Sequence, residues 1–169
     1  TGLRRRDEAL VESERRLSTL IGNLPGIAYR CLNAPDWPME YIGGALVELT
    51  GYDTAEFVDE GGIGYGDLIH PDDRPMVWET VQESVAADRP FQMEYRIETK
   101  SGETKWVWEQ GRAIRGAGGE TIALEGFITD VTERHRAREQ VERQLERLRA
   151  LRNIDLAIVG SLDLRIVLD

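Results

Sequence analysis

A chain of 169 residues, 41% hydrophobic and 31% charged, is long enough for one ordinary domain with its own core and short extensions. Its net charge of −10 is concentrated in residues 21–129, where 8 Lys/Arg face 19 Asp/Glu, and an acidic middle repels phosphate backbones, which argues against nucleic-acid binding. No apolar run reaches the roughly 18 residues of a membrane span, the opening TGLRRRDEAL has no apolar signal-peptide stretch, and a lone Cys31 fits a reducing cytoplasm, the expected location.

Leu3, Leu10, Leu17 and Leu24 recur every seven residues among Arg, Glu and Asp, which predicts an amphipathic helix ended by Pro25-Gly26. Seven-residue apolar spacing is also the coiled-coil period, so the stripe serves either a partner helix or the domain itself. Ile27 to Leu32 and Met39 to Ile42 read as strands separated by the turn NAPDWP. Asp53 and Glu56 have capping-box spacing for a short helix, and the glycines of DEGGIGYGD imply an irregular loop. A further helix follows IHPDD, with Asp72 as its cap, Pro75 in its first turn, and Met76, Val77, Val81 and Val85 as its buried face.

Three strands come next. FQMEYRIE alternates, with Phe91, Met93, Tyr95 and Ile97 on one face, and KSGE turns it into TKWVWEQGRAI. Glycines 116, 118 and 119 then lead into ETIALEGFIT. Hairpin-linked strands with helices inserted between the second and third make the fold class α+β. In EGFITDVTERHRAREQ a strand meets a helix with no loop; Asp130 is placed as N-cap, with Glu133 completing a capping box. That junction predicts a lever, the helix moving whenever the last strand shifts. Along it, Val141, Leu145 and Leu148 step by four and three, then Leu151, Ile154 and Ile158 continue in a changed register.

The block FQMEYRIETKSGETKWVWEQGRAI with EGFITDVTERHRAREQ resembles the C-terminal half of a PAS sensor domain of the PAS_3-like type. NLPGIAYR, YIGGALVELTGYDTAEF and LIHPDDRPMV resemble its earlier parts in the same order, and LRALRNIDLAIVGSLDLRIVLD resembles the opening helix of a GAF domain. The resemblance implies a helix at 1–24, a PAS domain at 25–132 and a signalling linker helix at 133–153. A GAF domain would begin at 154–169. The implied fold is a five-stranded antiparallel sheet with helices packed on one face, between flanking amphipathic helices. The implied role is sensing and relay within a larger signalling protein, a histidine kinase or a cyclic-di-GMP synthase or phosphodiesterase.

Expected site residues follow from alternation and from the resemblance together. Tyr29, Met76, Met93, Tyr95 and Trp108 are pocket candidates, against the plain reading of aromatics and methionines as core. The resemblance assigns relay to Trp106, Asp130 and Thr132, and dimer formation to Leu3, Leu10, Leu17, Val141, Leu145 and Leu148. It also disfavours haem, since His70 precedes the long helix, and covalent flavin chemistry, since Cys31 lies on the first strand. His70, His135 and Cys31 lack metal-ligand spacing. Arg96 and Arg112 read as solvated strand charges rather than anion ligands. No nucleophile with a nearby base and no phosphate-binding loop appears, so the chain reads as non-catalytic. The expected partners are a second copy, a small-molecule ligand and downstream domains of the same chain. A ligand-free dimerisation and spacing module is the competing reading.

Overall fold

The computed structural model describes residues 1–168, in two units, Thr1–Val131 and a second beginning at Thr132. The first unit opens with α1 (Gly2–Gly22), followed by β1 (Gly26–Cys31) and β2 (Met39–Gly44), a hairpin. Two short helices come next, α2 (Leu46–Thr50) and α3 (Thr54–Val58). The predicted capping box starts α3: Glu56 N–H donates to Asp53 Oδ1 at 3.1 Å and Asp53 N–H to Glu56 Oε2 at 2.9 Å. A 3-10 turn at Tyr65–Asp67 leads to α4 (Arg74–Ala86), and β3 (Phe91–Glu98), β4 (Thr104–Arg115) and β5 (Thr121–Asp130) complete the unit.

The five strands form one antiparallel sheet in the order β2-β1-β5-β4-β3, so the last strand lies in the middle, paired to the first on one side and to β4 on the other. The helices between β2 and β3 cover one face. Leu46 and Leu49 of α2, Phe57 of α3, and Val77 and Val81 of α4 join Ile27, Tyr95, Val107 and Ile128 of the sheet in a single core. Each such side chain contributes about 1.5–3 kcal/mol by leaving water.

The start of α4 differs from the sequence expectation. Its N-cap position is Asp73, not Asp72, and the Asp73 carboxylate is held by Arg96. It accepts the Arg96 backbone N–H at 2.8 Å, Nε at 2.9 Å and Nη2 at 2.6 Å. A planar guanidinium binding both oxygens outcompetes a capping role. Arg96 is therefore paired rather than a solvated strand charge. Met76 leaves the predicted buried face because the buried stripe is Val77, Val81, Ser84 and Val85; it stands one residue ahead of that stripe and is 39% exposed. Asp73→Ala should destabilise the chain by about 1–3 kcal/mol, and a double-mutant cycle with Arg96→Ala should recover most of that as coupling in urea melts. Additive effects would show that the pair does not fasten α4 to β3.

No residue of α1 is buried, and its Leu stripe is open, with Leu10 and Leu17 more than half exposed. The second unit is a single helix, α5 (Thr132–Leu168), unbroken across the expected 153/154 boundary. Residue 169, the last of the expected GAF segment, lies outside the described residues. Val141, Leu145 and Leu148 are exposed on α5. Its helical positions begin at Thr132, so Val131 occupies the N-cap position that the sequence reading gave to Asp130, and Asp130 is the last residue of β5.

Candidate functional site

The covered face of the sheet holds a carboxyl group. Along β4, Val107, Glu109 and Gly111 are buried, whereas Trp106, Trp108 and Gln110 lie on the opposite face. Glu109 is only 7% exposed, in the middle of an apolar core. Three tyrosines converge there from separate elements. Tyr29 of β1 donates to Glu109 Oε1 and Tyr95 of β3 to Oε2 at 2.7 Å. The Tyr65 hydroxyl oxygen, from the 3-10 turn, lies 3.2 Å from that of Tyr95. A hydroxyl has one proton, so with Tyr95 donating to Glu109 it is Tyr65 that donates to Tyr95. All three protons then find acceptors, and no buried side-chain polar atom among the described residues is left unpaired.

Burial pushes the Glu109 carboxyl above the ordinary carboxylate range, and the Tyr29 and Tyr95 hydroxyls, which favour the charged form, pull the other way. Burial first, and the nearby Glu109 second, raise all three tyrosines. The same two causes, in the same order, push the Cys31 thiol up to about 12, so this cysteine is inert rather than nucleophilic. The cluster borders an internal cavity of about 20 Å³, walled also by Trp37, Ile69 and Phe91. That volume takes about one water molecule.

Of the pocket candidates, Tyr29 and Tyr95 line this cavity. Met93 is buried on the same sheet face, across from Glu109 in the β3–β4 register. Met76 is on the open side of α4, and Trp108 faces away, among Phe127, Arg112 and Glu125 on the outer side of the sheet. Trp106, also outward, carries the Arg96 guanidinium 5.6 Å from its ring centre. The Trp106 carbonyl accepts the Val131 N–H at 2.9 Å, one step beyond the Val107–Asp130 pair of β4 and β5. Thr132 is the buried first residue of α5. Among the described residues no group of three or more His, Cys, Asp or Glu is placed to hold a metal, and His70 Nδ1 accepts the Asp72 N–H at 3.3 Å.

Sequence reasoning missed Glu109 and Tyr65. In KWVWEQ a glutamate beside two tryptophans reads as the solvated side, and nothing local reverses that. The available signal was Gly111, two residues on, paired across the ladder with Gly126. Two facing glycines leave a gap on the sheet that something must fill, and the Phe91 ring over Gly111 and the Tyr29 phenol over Gly126 fill it.

Residues 39–128 match the PAS fold family, a span from the start of β2 into β5. Among curated proteins, the chain is 32% identical over 151 residues to a methyl sulfide methyltransferase-associated sensor of Methanosarcina acetivorans, covering 87% of this chain and 15% of that protein. A blue-light-activated histidine kinase of Brucella anthropi is 37% identical over 71 residues, 42% of this chain and 14% of that protein. The chain thus spans about 15% of the length of such relatives. Among solved structures, a sensory box histidine kinase/response regulator from Burkholderia thailandensis superposes with a TM-score of 0.60 at 29% identity, over 74% of this chain and 92% of that one. The N-terminal domain of a diguanylate cyclase with PAS/PAC sensor from Marinobacter aquaeolei has the same fold, with a TM-score of 0.54 at 23% identity, over 65% of this chain and 98% of that one.

Proposed function

The chain belongs to the PAS fold family, and on that premise we propose that it is a sensory and relay module in which the Glu109 cavity is the receiving end. One observation carries this reading: a buried carboxyl held by two tyrosine hydroxyls, with a third tyrosine bonded behind them, in an otherwise apolar core. Burying such a group costs stability that a structural core has no need to give up, and buried groups with displaced pKa values gather at functional sites. The stimulus is a small molecule that reaches Glu109. Occupancy shifts the central strand β5, and Trp106, Asp130 and Thr132 pass the change into α5. The chain itself is non-catalytic. It works in the cytoplasm within a longer signalling protein whose output is a histidine kinase or a cyclic-di-GMP enzyme, with a GAF domain beginning at 154–169. A second copy pairs along Leu3, Leu10, Leu17, Val141, Leu145 and Leu148. No helix among the described residues is long and apolar enough to cross a membrane.

The competing reading, a dimerisation and spacing module with no ligand, draws support from two observations. The cavity is only about 20 Å³, and apolar side chains line open faces of both terminal helices. Native mass spectrometry of the chain, repeated under denaturing conditions, separates the two. The expected result is a dimer with an added small mass that disappears on denaturation. A dimer that stays unliganded when purified without dialysis, and across a panel of added metabolites, would transfer the assignment to the spacing role.

A further inference from the structure

We propose that Trp37 is a gate, and that the Glu109 cavity and a groove outside it form one two-chamber site for a small aromatic molecule carrying a hydrogen-bond donor. The proposal rests on the reading of the Glu109 cavity as the sensory pocket and adds its access route and its ligand class. The outer groove is open to solvent, has a volume of about 290 Å³, and is walled by Pro35, Pro75 and Trp78, with Arg74 at its side. Trp37 and Ile69 line both spaces. The Trp37 indole meets that of Trp78 at 5.2 Å and 46°. This buried ring is the partition: swung aside, it joins a chamber sized for about one water to one sized for a one- or two-ring molecule.

The partition is held under strain. Trp37 has φ of +49°, a left-handed conformation that bulky residues avoid, and it precedes Pro38, which disfavours helical backbone at the residue before it. Its backbone is held by its own turn, where the Trp37 N–H donates to the Ala34 carbonyl at 2.9 Å and the Leu32 N–H to the Pro38 carbonyl at 3.0 Å, and by the glycine-rich 61–66 loop. The Gly66 N–H donates to the Asp36 carbonyl at 3.0 Å, and the Tyr65 N–H reaches the Trp37 carbonyl at 3.4 Å. Gly64 lies so close that a Cβ there would sit 2.3 Å from the Asp36 carbonyl oxygen. Tyr65 thus belongs both to the clamp on Trp37 and, through its hydroxyl, to the Glu109 cluster. Disturbing the cluster loosens the gate, and opening the gate exposes the cluster.

The ligand class follows from the two ends. Proline rings and indole faces in the groove suit a planar apolar body. The Arg74 guanidinium, at the side of the groove, uses two of its five N–H donors on the Ile69 carbonyl at 2.9 Å and the Asp67 carbonyl at 3.3 Å. At the inner end each Glu109 oxygen already accepts one tyrosine proton and retains a lone pair, which calls for a donor.

The test uses phenol and its donor-free isostere toluene, titrated into the chain and followed by NMR line shapes. Phenol should bind in preference to toluene. Its association with Trp37→Gly, which removes the partition and relieves the positive φ, should be about tenfold or more faster than with the wild type, because no conformational step precedes binding. Trp37→Leu, a shorter plug, should fall between and decides the matter if the glycine variant does not fold. Equal association rates in wild type and both variants would overturn the gate while leaving the pocket reading standing. Equal binding of phenol and toluene would overturn the ligand class. No binding of either to the opened variant would overturn the two-chamber site, while the sensory pocket stands or falls on the native mass spectra.

Discussion

Glu109→Gln should abolish a decline in stability that the wild type shows as pH rises from about 4.5, the ordinary glutamate value, through the raised value of the folded state. Burial makes the folded chain hold this proton more tightly than the unfolded chain does. Between those two values the folded state therefore binds more protons, and each step up in pH favours unfolding. The contribution is fully present below the unfolded value and is lost above the folded one. Its slope is limited to about 1.4 kcal/mol per pH unit for a single proton. Asp73 runs the other way: Arg96 lowers its pKa from the ordinary 3.8, so its contribution is present above that value and lost as pH falls below it. Urea melts of wild type and Glu109→Gln across pH 4 to 8, at fixed salt, isolate the first effect because Asp73 is common to both chains. Parallel curves would mean that the carboxyl is not protonated more readily in the fold than out of it.

Where one sheet face is open and the other closed, the sequence was readable. β3 alternates Phe91, Met93, Tyr95 and Ile97 against polar neighbours, and that alternation is the observed burial pattern. The capping box at Asp53 and the presence of both terminal helices are likewise local properties, carried by residues three to seven apart. β4 defeats the same logic because it is inverted, with tryptophans outward and a glutamate inward. What reverses it is distant in sequence: Tyr29, 80 residues upstream of Glu109, and Gly126 on the neighbouring strand. The N-cap of α4 failed for a similar reason: Asp73 takes the position, but its carboxylate is drawn to Arg96 on β3 and makes no cap bond, which nothing near it in sequence foretells. The strain at Trp37 has no local signature either, as NAPDWP reads only as a turn.

Gly126→Ala should damage both the fold and the site, although it adds a single methyl group. A Cβ at this position would sit 2.6 Å from the Gln110 carbonyl oxygen and 2.6 Å from the Tyr29 hydroxyl oxygen; at the paired Gly111 it would lie 2.8 Å from that same hydroxyl. The two glycines are the slot through which Tyr29 crosses the central strand to reach Glu109. A methyl there must displace a ladder carbonyl, the tyrosine, or both. Overpacking and a disturbed buried hydrogen bond together predict a loss of about 2–4 kcal/mol. In a Tyr29→Phe background the hydroxyl clash is gone, while those with the Gln110 carbonyl oxygen and with the ring Cζ, at 2.8 Å, remain, so the cost should shrink. Additivity of the two substitutions within about 0.5 kcal/mol would show that Tyr29 does not need the slot. Displacing Tyr29 also removes a hydrogen bond that favours the charged carboxyl. The Glu109 pKa should then rise further, and the decline of stability with pH should extend to higher pH in Gly126→Ala than in the wild type.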